Sequence, residues 1–496
     1  MMKANLYFPV FMSLLLAVSC STDTGKPALT ESYRVESIAL PEGLEGETGA
    51  IGFLPDGRLV ACFLRGEVMI YDPASGAWEV FATGLHEPLG LLIRSESEML
   101  VMQRPELTRI VDTDGDGQAD LFEVLTDDFG MTGNYHEWNY GPVQDPGGNL
   151  FVSFNTASEY GHVMHEVRGR LDTTLVPGRP KQKFSAVPYR GWIMKLTPAG
   201  ELIPYAWGLR SPSGLVIDAQ GRLFATDNQG DWVGTSTLYH VEAGRFYGHP
   251  ASLLWTEGWN RGDPSRLPVA ELDAMRTRAS VLFPHGIMSA SPTQPAIDET
   301  GGKFGPFSGQ FFIGEMNQAR ILRVMLEEVG GQLQGACLPF IDDQGLLKGN
   351  NRLAFAPDGS LWVGHAEHFF VGDKGIQRIT FTGKPPMEIY RMSLTPNGFD
   401  LTFTQPLDDA ATNPDNFRFR HYYYEYHLAY GSEQYDVQPV PLIAVQISQD
   451  RKQVSLALEE LKAGYVYELN LSGILSAGGD SLANTLICYT LNRLRE

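Results

Sequence analysis

The chain has 496 residues, of which 43% are hydrophobic, and its 59 acidic residues against 38 Lys and Arg give a net charge of −21. This acidity argues against nucleic acid as a partner and against electrostatic docking on anionic lipid. The length suffices for two domains with their own cores. Cys62, Cys337 and Cys488 are too scattered for a disulfide framework or CxxC metal spacing, so we expect them to be buried.

The first predicted element is an export signal. Lys3 precedes an apolar run over residues 6–18, which is shorter than the roughly 20 residues that cross a bilayer and ends in small residues. The sequence AVSC ending at Cys20 resembles the lipobox of bacterial lipoproteins. The resemblance implies a signal peptide over residues 1–19, lipidation of Cys20, a tether over residues 20–32, and an exported protein that meets the membrane of a bacterial cell envelope through lipid alone. The alternative is an ordinary cleaved signal beside an incidental thiol.

One pattern then recurs: an apolar strand, a turn built on Asp or Pro with Gly, and a second strand of the form xLFV. Such hairpin patterns, repeated at intervals of tens of residues, indicate a propeller. Clear copies start at Gly52, Val143, Leu215 and Leu353, and looser copies at Leu91 and Phe304. Six copies predict an all-β fold, a six-bladed β-propeller over residues 33–382. Insertions near residues 155–190 and 245–295 are expected to cover or build a site.

The segment DTDGDGQADLFE, residues 112–123, has the spacing of a calcium-binding loop. Carboxylates at loop positions 1, 3, 5, 9 and 12, a Gly at 6 and a backbone carbonyl at 7 suit this hard divalent cation. The candidate ligands are Asp112, Asp114, Asp116, Gln118, Asp120 and Glu123. The apolar flanks LTRIV and FEVLT predict strands, so we expect a structural calcium loop within a blade.

A second domain follows the linker sequence GKPP after Thr382. Residues 387–496 alternate in strand fashion and resemble bacterial immunoglobulin-like domains, which predicts a small β-sandwich. The aromatic run FRFRHYYYEYHLAY from Phe417 has two interpretations. It is either a platform for carbohydrate or the packed face of a strand pair.

From Gly133 to Phe381 the order of motifs resembles the six-bladed propellers of soluble quinoprotein glucose dehydrogenases and sorbosone dehydrogenase-like proteins, which use pyrroloquinoline quinone. The motifs are YHEWNYGPVQDPGGNLFVSF, GLRSPSGLVID with ATDNQGDW, FFIGEMNQARILRV and NNRLAFAPDGSLWVG. The resemblance implies that His136 is a general base and that Arg210 and Arg352 bind the cofactor. It also implies that the turn at Gly230 and Asp231 holds a catalytic calcium ion.

The sequence departs from this family at three points. Asn317 stands where the family has its cofactor lysine, Leu353 follows Arg352 where a second arginine is usual, and Asp231 replaces a proline. Losing two of three cations that bind a tricarboxylate would cost several kcal/mol, at roughly 1.5 to 3 kcal/mol per charged hydrogen bond. Asn317 remains the candidate cofactor contact at its position.

Three functions stay open on these observations. The first is an exported oxidoreductase acting on a carbohydrate or small-molecule alcohol, with a histidine base, calcium, the quinone and a separate electron acceptor. The second is a non-catalytic lipoprotein that binds glycan or protein. The third is a calcium-dependent hydrolase or lactonase, for which carboxylates such as Asp231 or Glu315 would hold an axial metal. His285 is a further candidate for the channel mouth, and His365 with His368 for a metal.

Overall fold

A computed structural model describes residues 29–158, 166–172, 182–367 and 371–495. Cys20, the predicted signal segment and His368 lie outside these residues. No helix within the described ranges is long and apolar enough to cross a membrane. Each sequence repeat contributes to one antiparallel sheet, because its apolar runs form strands. In five of the six copies a glycine lies in the turn before the second strand, whereas the copy from Leu91 turns at residues 95–97 without one. In the copy from Gly52, that turn contains Gly57 with a φ of +93°.

Six four-stranded units form the blades, each ordered from its inner to its outer strand. Blade 1 is β2 (Thr48–Phe53), β3 (Leu59–Phe63), β4 (Val68–Tyr71) and β5 (Trp78–Ala82); blade 2 is β6 (Gly90–Ile93), β7 (Glu98–Met102), β8 (Leu107–Val111) and β9 (Leu121–Thr126). Blade 3 is β11 (Asn139–Gln144), β12 (Leu150–Phe154), β16 (Trp192–Leu196) and β17 (Leu202–Trp207); blade 4 is β18 (Gly214–Ile217), β19 (Leu223–Asp227), β20 (Ser236–Val241) and β21 (Val281–Phe283). Blade 5 is β22 (Pro292–Ile297), β23 (Phe311–Glu315), β24 (Arg320–Val329) and β25 (Gln332–Asp342); blade 6 is β26 (Asn350–Phe355), β27 (Leu361–His365), β28 (Gly375–Phe381) and β1 (Tyr33–Ile38).

The innermost strands of consecutive blades contact one another around a closed ring. The ring closes because β1 pairs with β28, with Tyr33 opposite Phe381. The inner strands approach so closely that a Cβ at Gly90 would lie 1.3 Å from the carbonyl oxygen of Gly141. The predicted all-β, six-bladed propeller is therefore confirmed, and the flanks of the acidic loop are the strands β8 and β9, as predicted.

The two insertions pack on the propeller. The first contains the short ribbon of β13 (Ala157–Ser158) with β15 (Lys183–Phe184), and its strand β14 (Glu166–Arg168) pairs with β10 (Met131–Thr132), which precedes blade 3. The second contains α1 (Val269–Met275) and 3₁₀ turns at Pro250–Trp255 and Pro264–Arg266. Further 3₁₀ turns lie at Leu29–Glu31, Asp409–Thr412 and Pro414–Asn416.

The C-terminal region is a β-sandwich. One sheet has the order β29 (Ile389–Thr395), β30 (Gly398–Phe403), β34 (Gln453–Leu458), β33 (Leu442–Ile447), and the other has the order β36 (Leu486–Leu491), β35 (Tyr465–Leu471), β31 (Phe417–Tyr424), β32 (Gln434–Val440). Phe399 and Leu401 from the first sheet and Tyr467 and Leu469 from the second are fully buried in their common core. The second sheet also continues into blade 5, because β36 pairs with β25. Its strands place Cys488 opposite Cys337, and these thiols, like Cys62, are free and buried as expected.

Candidate functional site

A cavity of about 460 Å³ opens on one face of the propeller, where the inner strands begin. This volume is within the range of small-ligand sites. Its lining includes two histidines, one arginine, three amide side chains and a tyrosine from the C-terminal domain: His136, His285, Arg210, Asn228, Gln229, Asn317 and Tyr430. The fold thus brings together His136, Arg210 and Asn317, which are separated by up to 181 residues in the sequence.

His136 lies immediately before β11 and is almost fully buried, with 8% of its surface exposed. The Nδ1 atom is 3.3 Å from the carbonyl oxygen of Thr156, and the backbone N–H donates to the side-chain oxygen of Asn134. A proton on Nδ1, donated to this carbonyl, leaves the lone pair on Nε2. That tautomer is the one in which Nε2 is a proton acceptor, as a general base requires.

Arg210 is held by the same segment that orients His136. The N–H and the hydroxyl of Thr156 both donate to the Arg210 carbonyl, at 3.2 and 2.7 Å. The buried carboxylate of Asp227 accepts the N–H groups of Arg210 and Ser211. Burial raises the pKa of Asp227. The turn that carries Arg210 is therefore fixed to both blade 3 and blade 4.

Asp231 neutralises the Arg210 guanidinium. One carboxylate oxygen accepts from Arg210 Nε at 3.0 Å, and the other accepts from the Lys183 N–H at 2.7 Å and from His249 Nε2 at 3.2 Å. Burial raises the pKa of Asp231, but His249 and Arg210 outweigh this effect and lower it to about 2. The carboxylate is thus ionised, and both of its oxygens accept hydrogen bonds from groups of the protein.

The turn at Gly230 contacts both the Arg210 side chain and the C-terminal domain. A Cβ at Gly230 would lie 1.8 Å from Arg210 Nε, so only glycine lets the guanidinium pack here. The Gly230 carbonyl accepts two N–H groups, from Val233 at 3.1 Å and from Gly431 at 3.0 Å. The calcium-holding role of Gly230 and Asp231 stays a prediction; in this structure their oxygens accept hydrogen bonds from groups of the protein.

Arg352 does not line this cavity but a second one, of about 290 Å³, between the inner strands of the blades. Its guanidinium donates to four carbonyl oxygens, and its carbon lies 4.6 Å from the ring centre of Tyr140. The acceptors are Gly49 (2.7 Å), Asn351 (2.7 Å), Ser213 (3.0 Å) and Leu89 (3.1 Å). Burial lowers the pKa of Arg352 to about 10, so the side chain stays charged at neutral pH. These contacts let Arg352 join neighbouring blades, and its predicted role as a cofactor ligand stays a prediction.

The carboxylate of Glu315, the other predicted metal ligand, anchors a turn. One oxygen accepts the N–H groups of Ala290 and Ser291, and the second accepts that of Gln318. Within the described part of the chain, the only cluster of three candidate metal-ligating side chains lies elsewhere, in the acidic loop. His365 is buried and approaches the Lys348 carbonyl, while its suggested partner lies outside the described residues.

In the acidic loop, three of the six predicted calcium ligands converge. Oxygens of Asp112, Asp114 and Asp116 lie within 4.8 Å of one another. Asp120 instead accepts from the backbone and hydroxyl of Thr113, and Glu123, on β9, pairs with Arg109 at 3.0 Å. Gln118 donates its N–H to Asp116. The loop thus offers the first half of the predicted ligand set.

The cavity does not suit a tricarboxylate quinone. Among the described residues that line it, Arg210 is the only Lys or Arg, and Asp231 offsets its charge. Lys183 lies nearby but is buried, and burial and the Arg210 charge lower its pKa well below its usual range. Three ionised carboxylates would therefore be desolvated here without matching cations, which is unfavourable. The neutral polar lining fits a polyhydroxylated ligand better.

Several residues of the site carried no sequence prediction. Asn228 and Gln229 lie inside the motif ATDNQGDW, but nothing in the sequence indicated that their side chains line a cavity. Tyr430 ends the aromatic run from Phe417. The first part of that run forms β31, where Phe419 and Tyr422 are buried and Tyr423 stacks on Tyr435 of β32. The packed-face interpretation is therefore correct for β31, whereas Tyr430 reaches the cavity.

Neither models of protein families nor curated proteins match this sequence. Solved structures do match its fold. A Thermus thermophilus oxidoreductase described as a glucose dehydrogenase is 20% identical over 70% of this chain and 99% of its own, with a TM-score of 0.48. The quinone-bound aldose sugar dehydrogenase of Streptomyces coelicolor is 17% identical over 70% and 98%, with a TM-score of 0.47. The quinone domain of Coprinopsis cinerea pyranose dehydrogenase is 12% identical over 70% and 95%, with a TM-score of 0.47. At such identities the likeness concerns the fold alone.

Proposed function

We propose that this protein binds a sugar or a sugar-derived alcohol in the propeller-face cavity. The observation that carries the proposal is the lining itself, in which amides, histidines and one neutralised arginine surround about 460 Å³ beside an exposed tyrosine. Hydroxyl groups both donate and accept hydrogen bonds, so they pair with this mixture of side chains without needing a net charge. Neutral carbohydrate is therefore the ligand class that the cavity suits best.

The test is calorimetric titration of the purified protein with a panel of aldohexoses and their alditols. His136→Asn should weaken binding about tenfold, the equivalent of one hydrogen bond of about 1.4 kcal/mol. The exposed His86, outside the cavity, provides the control, and His86→Asn should bind as the wild type does. If no member of the panel bound, the proposal would fail.

Oxidation of the bound alcohol is a second candidate, favoured by the His136 tautomer. His136 Nε2 would accept the hydroxyl proton, and the hydride from the adjacent carbon would pass to a separate two-electron acceptor, which leaves a carbonyl product. The cavity does not suit the tricarboxylate quinone as this acceptor, because Arg210 is the only Lys or Arg among its described lining residues. Reduction of an added two-electron acceptor dye, such as an oxidised phenazine, in the presence of a sugar that binds tests this activity. Turnover by the wild type that is lost in His136→Asn would support it, and no turnover with a sugar that binds would exclude it under those conditions.

We also propose that the chain is exported and lipidated at Cys20, as its N-terminal sequence indicates. Metabolic labelling with a radioactive fatty acid should mark the wild type and Cys62→Ala but not Cys20→Ala. Label retained by Cys20→Ala would contradict the proposal.

Finally, we propose that the loop of Asp112, Asp114 and Asp116 binds Ca²⁺. Three carboxylate oxygens that approach within 4.8 Å repel one another, and a divalent cation would relieve this repulsion. Asp112 also accepts the N–H groups of Gly115 and Gly117, which holds the loop in a tight turn. The role would be structural, because this loop lies between β8 and β9 on the outside of blade 2.

A further inference from the structure

The connection between β31 and β32 in the C-terminal domain leaves its sandwich and lies on the propeller face. We refer to residues 425–432 as the strap. It runs beside the turn at residues 230–234, and a β-bridge joins Asp231 to Tyr430. Three backbone hydrogen bonds connect the two segments: Trp232 N–H to the His427 carbonyl (3.1 Å), Gly431 N–H to the Gly230 carbonyl (3.0 Å) and Ser432 N–H to the Gly234 carbonyl (2.8 Å).

Side chains fix the strap at both ends. The Tyr426 ring packs 5.3 Å from Trp232 and lies under the Arg276 guanidinium at 4.4 Å, between ring centre and guanidinium carbon. At the other end Gly431 has a φ of +67°, and a Cβ there would approach Gln229 to 2.8 Å. Hydrogen bonds along the backbone and packing at each end hold the strap in one position.

The strap places Tyr430 at the cavity. The ring centre lies 5.3 Å from the guanidinium carbon of Arg210, yet 52% of the tyrosine surface stays exposed. The other aromatic residues of the lining, Trp138 and Tyr140, expose only 5% and 4%. Among the described aromatic residues that line the cavity, Tyr430 is therefore the most exposed, and it comes from the second domain.

We infer that Tyr430 determines specificity for ring-form sugars, and that the C-terminal domain thereby completes the binding site. The inference rests on the proposed function and deepens it. The C–H bonds of a pyranose form an apolar face that packs on an aromatic ring, while its hydroxyls reach the polar groups around Arg210 and His136. An acyclic alditol has the same hydroxyl chemistry without a rigid apolar face. Tyr430 thus favours the ring over the open chain.

The experiment compares D-glucose, D-galactose and D-mannose with their alditols by calorimetry on the full protein. Tyr430→Ala should weaken binding of the ring sugars roughly fivefold to tenfold and change alditol binding by less than about twofold. Tyr430→Phe should keep the wild-type preference, since the ring remains. The matched control is Leu428→Ala, because Leu428 lies in the same strap, is 38% exposed and does not line the cavity.

Equal losses for ring and open-chain ligands, or no loss, would overturn the inference while His136→Asn still weakens binding. If the wild type bound none of these ligands, the proposed function would fail and the inference with it. Tyr430→Leu provides a second variant that keeps apolar volume without an aromatic face. It should lose the ring preference at an unchanged melting temperature, and retention of that preference would also overturn the inference.

Discussion

Replacing Arg352 with Met tests whether this arginine is a structural connection between blades or a cofactor ligand. Its guanidinium joins carbonyls of Gly49, Leu89 and Ser213, which belong to or directly precede the inner strands of blades 1, 2 and 4. Met keeps most of the apolar stem but supplies no donor. The substitution leaves these carbonyls without their hydrogen-bond donor in a buried environment, since Arg352 is only 2% exposed.

Each hydrogen bond from a charged donor contributes about 1.5 to 3 kcal/mol, but four of them from one side chain are not additive. A buried carbonyl left without its donor costs about 1 to 3 kcal/mol, and four such carbonyls relax in part together. We therefore expect Arg352→Met to lower the free energy of unfolding by about 4 kcal/mol. This would be a large share of the 5 to 15 kcal/mol that is ordinary for a folded protein.

The assay is urea unfolding followed by intrinsic fluorescence, with ligand binding measured at low temperature where the variant is folded. The control is Arg378→Met in blade 6, since Arg378 pairs with Asp358 at a partly exposed site and should cost about 1 kcal/mol or less. Sugar affinity of folded Arg352→Met should equal that of the wild type. A variant as stable as the control but unable to bind the sugar that the wild type binds would refute the structural role and favour the predicted role in ligand binding.

Three other outcomes are expected. Because the Asp231 pKa is lowered to about 2, its carboxylate stabilises the fold fully above about pH 4 and progressively less as the pH falls towards 2. Asp231→Asn should lower the free energy of unfolding by about 2 kcal/mol at pH 7, and this free energy should change less between pH 4 and 2 than in the wild type. Burial raises the pKa of Glu388 to about 7, so the wild-type free energy of unfolding should fall as the pH rises from about 4.5 through 7. Urea unfolding at pH 5 and pH 8 should show this decrease for the wild type but not for Glu388→Gln. Millimolar Ca²⁺ should raise the melting temperature of the wild type but not of Asp112→Asn, and equal shifts would contradict the loop site.

The fold was predictable because its signals are local. The pattern from Gly52 combines an apolar run, a glycine turn and a second apolar run, and β2, the turn and β3 follow it directly. The same holds for the copies from Val143 and Leu353, which form the first two strands of blades 3 and 6. Strands that are adjacent in the sequence pair with each other across short turns, so these elements can be predicted from the sequence.

The site was less predictable because its chemistry depends on distant contacts. Arg352 looks like a ligand in sequence, but its donors meet carbonyls 139 and 303 residues away along the chain. Glu123 has the spacing of a calcium ligand, yet its strand directs it to Arg109. Tyr430 lies in an aromatic run whose first members form β31, and nothing local indicates that the segment after this strand crosses to another domain. Side-chain partners of this kind follow from topology and not from spacing.

The shared sheet of blade 5 and the sandwich also bears on aggregation. An outer blade strand presents unpaired backbone groups, and a long one is a template for pairing with another chain. β25 is eleven residues long, and β36 covers its middle, where Gly335 faces Thr490 and Cys337 faces Cys488. Separating the two domains would uncover this edge together with the buried side chains of Ala336 and Leu338. We therefore expect the propeller alone to self-associate through β25 of blade 5. In the full chain the sandwich prevents this pairing, because its strand β36 covers β25.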